Sequence, residues 1–177
     1  MERTLHWVPF LPLVFFVYST RFLGLPGDDT SLALAFYIGS ALALIYFISS
    51  WFRWINLDYM ALGANLFLLQ GGIASAFMRD LFFPHTYFMQ MILFGWIFLV
   101  GVITTFSSPK GFIQMSESGS NLIASLALIG ATAVDFLLSF FLITYAHVGK
   151  GMGLLLPLLL LITFREILRN YLSTKPL

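Results

Sequence analysis

The sequence predicts an all-α protein, a polytopic bundle of membrane-spanning helices that forms a single integral membrane domain over residues 1–177. Composition is the first observation behind this class. Of the residues, 59% are hydrophobic and 10% are charged, whereas soluble domains are about 25% charged. The mean hydropathy is +0.92. Nine basic and eight acidic residues cannot cover a water-facing surface, so lipid is expected to surround most of the chain.

The second observation is a series of six apolar segments, each close to the roughly 20 residues that a helix needs to cross about 30 Å of hydrocarbon. We predict six transmembrane helices, at about 6–23, 31–51, 58–78, 86–106, 120–146 and 151–170. The longest polar stretch, SSPKGFIQMSESGSN at 107–121, is expected to divide the chain into two halves. Its KGFIQM part is expected to lie along the membrane interface as a short amphipathic piece.

The distribution of lysine and arginine predicts the orientation. With the N-terminus inside, six basic residues fall on the inner side (Arg3, Arg53, Lys110, Arg165, Arg169 and Lys175) and three on the outer side (Arg21, Arg79 and Lys150). Basic residues accumulate in cytoplasmic loops. The count therefore predicts that both the N- and the C-terminus are cytoplasmic.

Several functional classes are disfavoured by what the sequence contains. The net charge is only +1 and the basic residues are scattered, so no nucleic acid partner is expected. Cysteine is absent, which removes disulfides and thiol chemistry. His6, His85 and His147 lie at predicted span ends without paired ligand spacing. We expect no catalytic residue, no cofactor and no metal ion.

Asp135 lies in the middle of the fifth predicted span, within ATAVDFLLSF at 131–140. An ionised Asp at that depth costs about 2.5–3.5 kcal/mol on insertion scales, so it needs a partner or the neutral form. At helical spacing it shares a face with Ser125, Thr132 and Ser139, and this polar stripe is expected to face other helices. Asp135 is then either a polar tie inside the bundle, the interpretation we favour, or a protonatable or ligand-binding acid.

Three amides complete the set of candidate functional or inter-helix polar residues, which comprises Asp135, Thr132, Ser139, Asn65, Gln70 and Gln90. Hydrogen bonds between membrane helices are worth about 0.6 kcal/mol on average, so structural roles are favoured for the amides. The third span also carries Gly71 and Gly72, which would let another helix approach closely.

Several segments resemble the bacterial intracellular septation protein A family of small inner-membrane proteins with five or six spans. The resemblance covers roughly residues 8–115 and is carried by FLPLVFFVYS, ALIYFISSWFRW, MALGANLFLLQGGIASAF followed by RDLFF, and SPKGFIQM. The chain departs from the family pattern after the third span, where PHTYFMQ replaces a basic, proline-containing segment.

The resemblance implies a multi-pass protein of the bacterial inner membrane that supports septation, envelope biogenesis and membrane integrity. Its expected partners are membrane lipids and the membrane proteins of cell division or wall synthesis. It brings no catalytic residue, in agreement with a non-enzymatic role. The alternative is a small proton- or cation-linked transporter or channel that uses Asp135 and acts as a homo-oligomer. A lipid-modifying enzyme is a weaker third hypothesis, because no nucleophile, metal set or paired acid is evident.

Overall fold

The computed structural model describes residues 8–22, 29–78, 89–115, 120–144 and 150–173, without the side chains of 21, 22, 29, 120, 142–144 and 150–155. These residues form six α-helices and contain no strand. The helices are α1 (Leu11–Phe22), α2 (Asp29–Trp51), α3 (Tyr59–Phe77), α4 (Met89–Ser107), α5 (Ser120–Thr144) and α6 (Lys150–Ser173). A 3-10 turn, Val8–Phe10, precedes α1. The all-α prediction is confirmed, and each predicted segment coincides with one helix.

Four of these helices are long and apolar enough to cross a membrane. The qualifying segments are Thr30–Trp51, Tyr59–Phe77, Met89–Ser107 and Asn121–Phe141. The apolar helical stretch at the start of the chain, Val8–Thr20, is shorter. The second half of α6 carries Arg165, Glu166 and Arg169. The described residues thus give six helices of which four meet the requirements of a span.

The chain divides into two compact units, Met1–Tyr87 and Phe88–Leu177. The first contains α1 to α3 and the second contains α4 to α6. The boundary therefore follows α3. The polar stretch at 107–121, which was expected to divide the chain, instead connects α4 to α5 inside the second unit.

In the first unit, α2 packs against both α1 and α3. Each helix contributes one phenylalanine to a buried aromatic cluster. The ring centroid of Phe16 lies 4.6 Å from that of Phe36 and 6.0 Å from that of Phe67, and Phe36 and Phe67 are 5.7 Å apart. Aromatic pairs at these separations add to the packing energy beyond the area they bury. This cluster joins all three helices.

Two adjacent glycines allow α2 and α3 to pack this closely. A Cβ atom at Gly71 would overlap the ring of Phe36, and one at Gly72 would overlap the hydroxyl of Ser40. The Ser40 hydroxyl donates a hydrogen bond to the carbonyl oxygen of Leu68 on α3, at 2.7 Å. The close approach expected at Gly71 and Gly72 is therefore present, and its partner is α2.

Asp58 determines where α3 begins. Its Oδ1 accepts hydrogen bonds from the backbone N–H groups of Met60 and Ala61, both at 3.0 Å, which is the standard role of an N-cap. The backbone N–H of Asp58 donates to the hydroxyl of Tyr46, at 3.0 Å. The end of α2 and the start of α3 are thereby linked.

In the second unit, α5 packs against both α4 and α6. The connection between α4 and α5 begins with residues 108–115, called here the connecting turn. Its side chains Phe112 and Ile113 are buried, and Gly111 and Gln114 have φ angles of +59° and +61°. The turn folds onto its own unit through these two side chains, and its place along the membrane interface stays a prediction.

Candidate functional site

A polar stripe runs along α5 and is buried throughout. Ser125, Thr132, Asp135 and Ser139 all have buried side chains, as does Asn121 at the start of the helix. These positions follow helical spacing, so they lie on one face, and the described neighbours of that face belong to α4, α6 and the connecting turn. The stripe turns inward, and its polar groups differ in whether they have a hydrogen-bond partner.

The first part of the stripe binds the connecting turn. The Oγ atom of Ser125 accepts a hydrogen bond from the backbone N–H of Ile113, at 3.3 Å. Asn121 donates from Nδ2 to the carbonyl oxygen of Met115, at 3.1 Å. A Cβ atom at Gly111 would lie 2.5 Å from the Ser125 Oγ, so a side chain there would collide with the stripe. These polar groups are structural.

Thr132, the central residue of the stripe, forms its hydrogen bond within α5. Thr132 donates from Oγ1 to the carbonyl oxygen of Leu128 at 2.9 Å, one turn earlier. This backbone bond is typical of threonine inside a helix and leaves no donor for a neighbouring helix. Thr132 therefore contributes a buried oxygen to the face and donates no hydrogen bond to another helix.

The last part of the stripe has no partner among the residues that the structure describes. Asp135 is 6% exposed, and no described residue forms a hydrogen bond or ion pair with its carboxyl group. The Oγ of Ser139, one turn further along, is buried without a hydrogen-bond partner in the same part of the chain. A buried polar atom without a partner is costly. Asp135 and Ser139 therefore lie on a buried face of α5 without a hydrogen-bond partner among the described residues, as does Oδ1 of Asn121.

The amides among the candidate residues lie apart from this pair. Asn65 is buried on α3 in the first unit and donates from Nδ2 to the carbonyl oxygens of Pro9, at 3.1 Å, and Ala61, at 2.8 Å. Gln70, also on α3, is exposed, and Gln90 is buried in the first turn of α4 in the second unit. Asn65 thus ties α3 to the turn that precedes α1. Only Thr132, Asp135 and Ser139 are brought together on one face.

A cluster of charges near the end of α6 is a feature that the sequence pattern did not predict. Arg165 is only 2% exposed and pairs with Glu166 at 3.2 Å. Arg169 pairs with the same Glu166 oxygen at 3.3 Å and donates from Nε to the carbonyl oxygen of Ile113 at 3.1 Å. From sequence these residues resemble ordinary interfacial anchors. The available signal was spacing, because Arg165 continues the buried face formed by Leu161 and Ile162.

An exposed aromatic turn, Trp51–Trp54, begins at the last residue of α2. Trp51 and Trp54 are 85% and 78% exposed, and Phe52 is also exposed. The rings of Phe52 and Trp54 stack with centroids 5.6 Å apart, while Arg53 adopts a φ of +60°. Aromatic side chains at a span end suit the headgroup layer of a bilayer. Their exposure leaves them available to lipids or to another protein.

No group of three or more potential metal ligands occurs in the part of the chain that the structure describes. His6, His85 and His147 lie outside the described residues.

Comparison with known proteins finds no matching family model, and neither a curated protein nor a solved structure matches the chain. The class of protein therefore follows from the fold. The described part of the chain is all-helical and contains four helices long and apolar enough to cross a membrane, which is compatible with a multi-pass membrane protein.

Proposed function

We propose that this chain is a non-enzymatic, multi-pass protein of the bacterial inner membrane, with six spans and cytoplasmic termini. It supports septation and envelope biogenesis by lateral contacts with membrane proteins of division or wall synthesis. The observation that carries this proposal is the exposed aromatic turn, where Trp51, Phe52 and Trp54 stand outside the packed unit. Tryptophan and arginine are the residues most enriched where protein interfaces concentrate their binding energy.

Two further points support a contact role for this turn. The aromatic residues belong to the segment ALIYFISSWFRW, which is among those resembling the septation protein A family. The turn is also held in place, because the backbone N–H of Trp54 donates to the carbonyl oxygen of Ser49 at 2.9 Å and Tyr46 accepts from Asp58. A fixed, exposed aromatic turn loses little conformational entropy on binding.

Photo-crosslinking tests the proposal directly. A photoreactive amino acid at Trp54 in the full chain, expressed in bacteria, is expected to crosslink to identified division or wall-synthesis membrane proteins. The same probe at Ile45, an exposed residue within α2, serves as the lipid-facing control. Crosslinks from Trp54 to lipids alone, or the same proteins captured from both positions, would overturn the contact role.

The second candidate function is proton- or cation-linked transport, and one observation favours it. Asp135 and the neighbouring Ser139 hydroxyl are buried on a candidate membrane span with no partner among the described residues. Ionisable groups inside a membrane commonly mark ion or proton pathways. In this case the carboxyl group would bind and release the transported ion.

Liposome flux measurements separate the two functions. The transport hypothesis predicts a pH-dependent ion flux that the Asp135→Asn variant loses. Asp58→Asn is the matched control, since it makes the same chemical change at a helix cap where asparagine is an equally good residue. Absence of flux for every ion tested with the parent protein excludes transport, and equal flux in the parent and Asp135→Asn excludes the role of this acid.

A further inference from the structure

The carboxyl group of Asp135 has no counter-charge on its own helix or on α4, which packs against it. The residue is 6% exposed and lies within the candidate span Asn121–Phe141. Neither α4 nor the rest of α5 contains an acidic, basic or other titratable residue. An ionised acid buried without a counter-charge is costly, so this carboxyl group requires one positive charge, either a proton or a bound cation.

The described charges of α6 are remote from Asp135 along the helix pair. Five residues, 145–149, join α5 to α6, and Arg169 near the end of α6 binds the same Ile113 as Ser125 near the start of α5. The two helices therefore run antiparallel. Asp135 lies ten residues beyond Ser125, or about 15 Å along the helix. The titratable residues of α6 are Lys150 at its first position, whose side chain lies outside the described residues, and Arg165, Glu166, Arg169 and Tyr171 in its second half.

Ser139 supplies a second oxygen on the buried face that carries Asp135. Its side chain is fully buried, and its Oγ has no hydrogen-bond partner among the described residues. Other buried hydroxyls, such as those of Ser75 and Thr132, donate to the carbonyl oxygen one helical turn earlier. Ser139 does not form this bond. Residues four apart on a helix have Cβ atoms about 5–6 Å apart, so the carboxyl group and the hydroxyl face the same small region.

The chemistry of these two groups favours a monovalent metal cation. Both bind through oxygen, the donor that hard cations such as Na⁺ prefer. One carboxylate balances one positive charge, whereas a divalent ion would leave an uncompensated charge in the apolar interior. Ca²⁺ also takes about six to eight oxygen ligands, and this face offers far fewer.

We propose that the Asp135 carboxylate and the Ser139 hydroxyl form a binding site for one monovalent metal cation, with a proton competing for the same carboxylate. Either ion neutralises the buried acid, so binding one excludes the other. This inference deepens the second candidate function, on which its biological use rests, by naming the class of ion. Binding itself does not require that the ion cross the membrane.

Isothermal titration calorimetry of the full chain in detergent tests the site with NaCl against choline chloride at constant ionic strength. The parent protein is expected to bind one Na⁺ per chain, and the affinity should fall as the pH is lowered, because protons then occupy the carboxylate. Asp135→Asn is expected to abolish binding. Ser139→Ala is expected to weaken it about tenfold, the loss typical of one polar contact to a charged group.

Infrared spectroscopy gives an independent signature of the competition. Addition of Na⁺ to the parent protein should diminish the C=O stretching band of a protonated carboxyl group, since the cation replaces the proton. The change should be absent in Asp135→Asn. A band in the parent protein that does not respond to Na⁺ at any pH would overturn the competition.

Two substitutions in the first unit are matched controls. Asp58→Asn and Ser75→Ala make the same chemical changes at a helix cap and at a buried hydroxyl of α3, and both are expected to leave Na⁺ binding unchanged. Ser139→Ala should fold normally, because it removes a buried hydroxyl that has no described partner. Equal heats for NaCl and choline chloride, Na⁺ binding retained in Asp135→Asn, unchanged affinity in Ser139→Ala, or tighter binding of Ca²⁺ would each overturn the proposal.

The cation site and the transport function can fail separately. Na⁺ binding that depends on Asp135, without flux in liposomes, would support the site and exclude transport. A proton flux that Asp135→Asn loses, together with no Na⁺ binding by the parent protein, would support transport and overturn the site.

Discussion

Arg169 donates a hydrogen bond from Nε to the carbonyl oxygen of Ile113 at 3.1 Å, across 56 residues of sequence. This contact attaches the end of α6 to the connecting turn, while Ser125 of α5 binds the backbone N–H of the same Ile113. The backbone N–H and the carbonyl oxygen of Ile113 thus each have a hydrogen-bond partner, and the two partners belong to different helices. Because an unsatisfied buried backbone group is costly, these two side chains determine the conformation of the turn.

Gly111→Ala is expected to destabilise the second unit by about 2 kcal/mol. The φ of +59° strains any residue with a Cβ, and the added methyl group would lie 2.5 Å from the Ser125 Oγ. The measurement is thermal unfolding in detergent, followed by circular dichroism. Gly130→Ala on α5 is the control, because nothing lies within 4 Å of a Cβ there.

A double-mutant cycle with Ser125→Ala isolates the steric part of this effect. Removing the hydroxyl makes room for the methyl group but leaves the Ile113 N–H without its acceptor. The loss of stability in the double variant is therefore expected to be smaller than the sum of the losses in the two single variants, by about 0.5 kcal/mol or more. Strictly additive losses would mean that the Ser125 hydroxyl does not limit the space at Gly111.

The positions of the six helices could be predicted from the sequence because apolar length is a local property. The number of membrane spans could not be predicted from apolar length in the same way. The predicted segment 151–170 is helical, yet Arg165 and Glu166 interrupt its apolar character. Helix formation and membrane crossing impose separate requirements. Among the described residues α2 to α5 contain the segments that meet both, and the count of six spans stays a prediction.

The connecting turn illustrates the limit of local patterns. Phe112 and Ile113 lie between the polar residues Lys110 and Gln114 in KGFIQM, which suggested an amphipathic piece at the membrane interface. Their actual environment depends on Ser125 and Arg169, and the second of these is 56 residues away. For Asp135, helical spacing correctly placed the acid on a buried face. Whether it has a partner depends on the neighbouring helices, and the sequence contains no signal for that.

Gly71→Ala is expected to destabilise the first unit by about 1–3 kcal/mol, because the new methyl group would overlap the Phe36 ring. Gly95→Ala, whose Cβ would meet nothing within 4 Å, is expected to change stability by less than about 1 kcal/mol. Both are measured as shifts in the thermal unfolding midpoint in detergent. Equal effects of the two substitutions would show that helix propensity, and not the contact between α2 and α3, controls the response.

Asn65→Leu is expected to cost about 1–3 kcal/mol, since it leaves the buried carbonyl oxygen of Pro9 without its donor. Leucine keeps the four heavy atoms and the Cγ branch of asparagine but is bulkier, so the loss combines the missing hydrogen bonds with any overpacking. Hydrogen–deuterium exchange should show faster exchange at the start of α1. Gln70→Leu on the same helix is the control, because Gln70 is exposed and its replacement should stay within about 0.5 kcal/mol. Unchanged exchange in Asn65→Leu would mean that the turn at Val8–Phe10 is held by packing alone.

Asp58→Ala is expected to destabilise the first unit by about 0.5–2 kcal/mol, because the N–H groups of Met60 and Ala61 lose their acceptor. Asp58→Asn retains a capping oxygen and should remain close to the parent protein. Tyr46→Phe removes the acceptor of the Asp58 N–H, so it is expected to cost about 1 kcal/mol without affecting the cap itself. Thermal unfolding of the three variants distinguishes these contributions. A loss in Asp58→Asn as large as in Asp58→Ala would assign the effect to the negative charge and not to the cap.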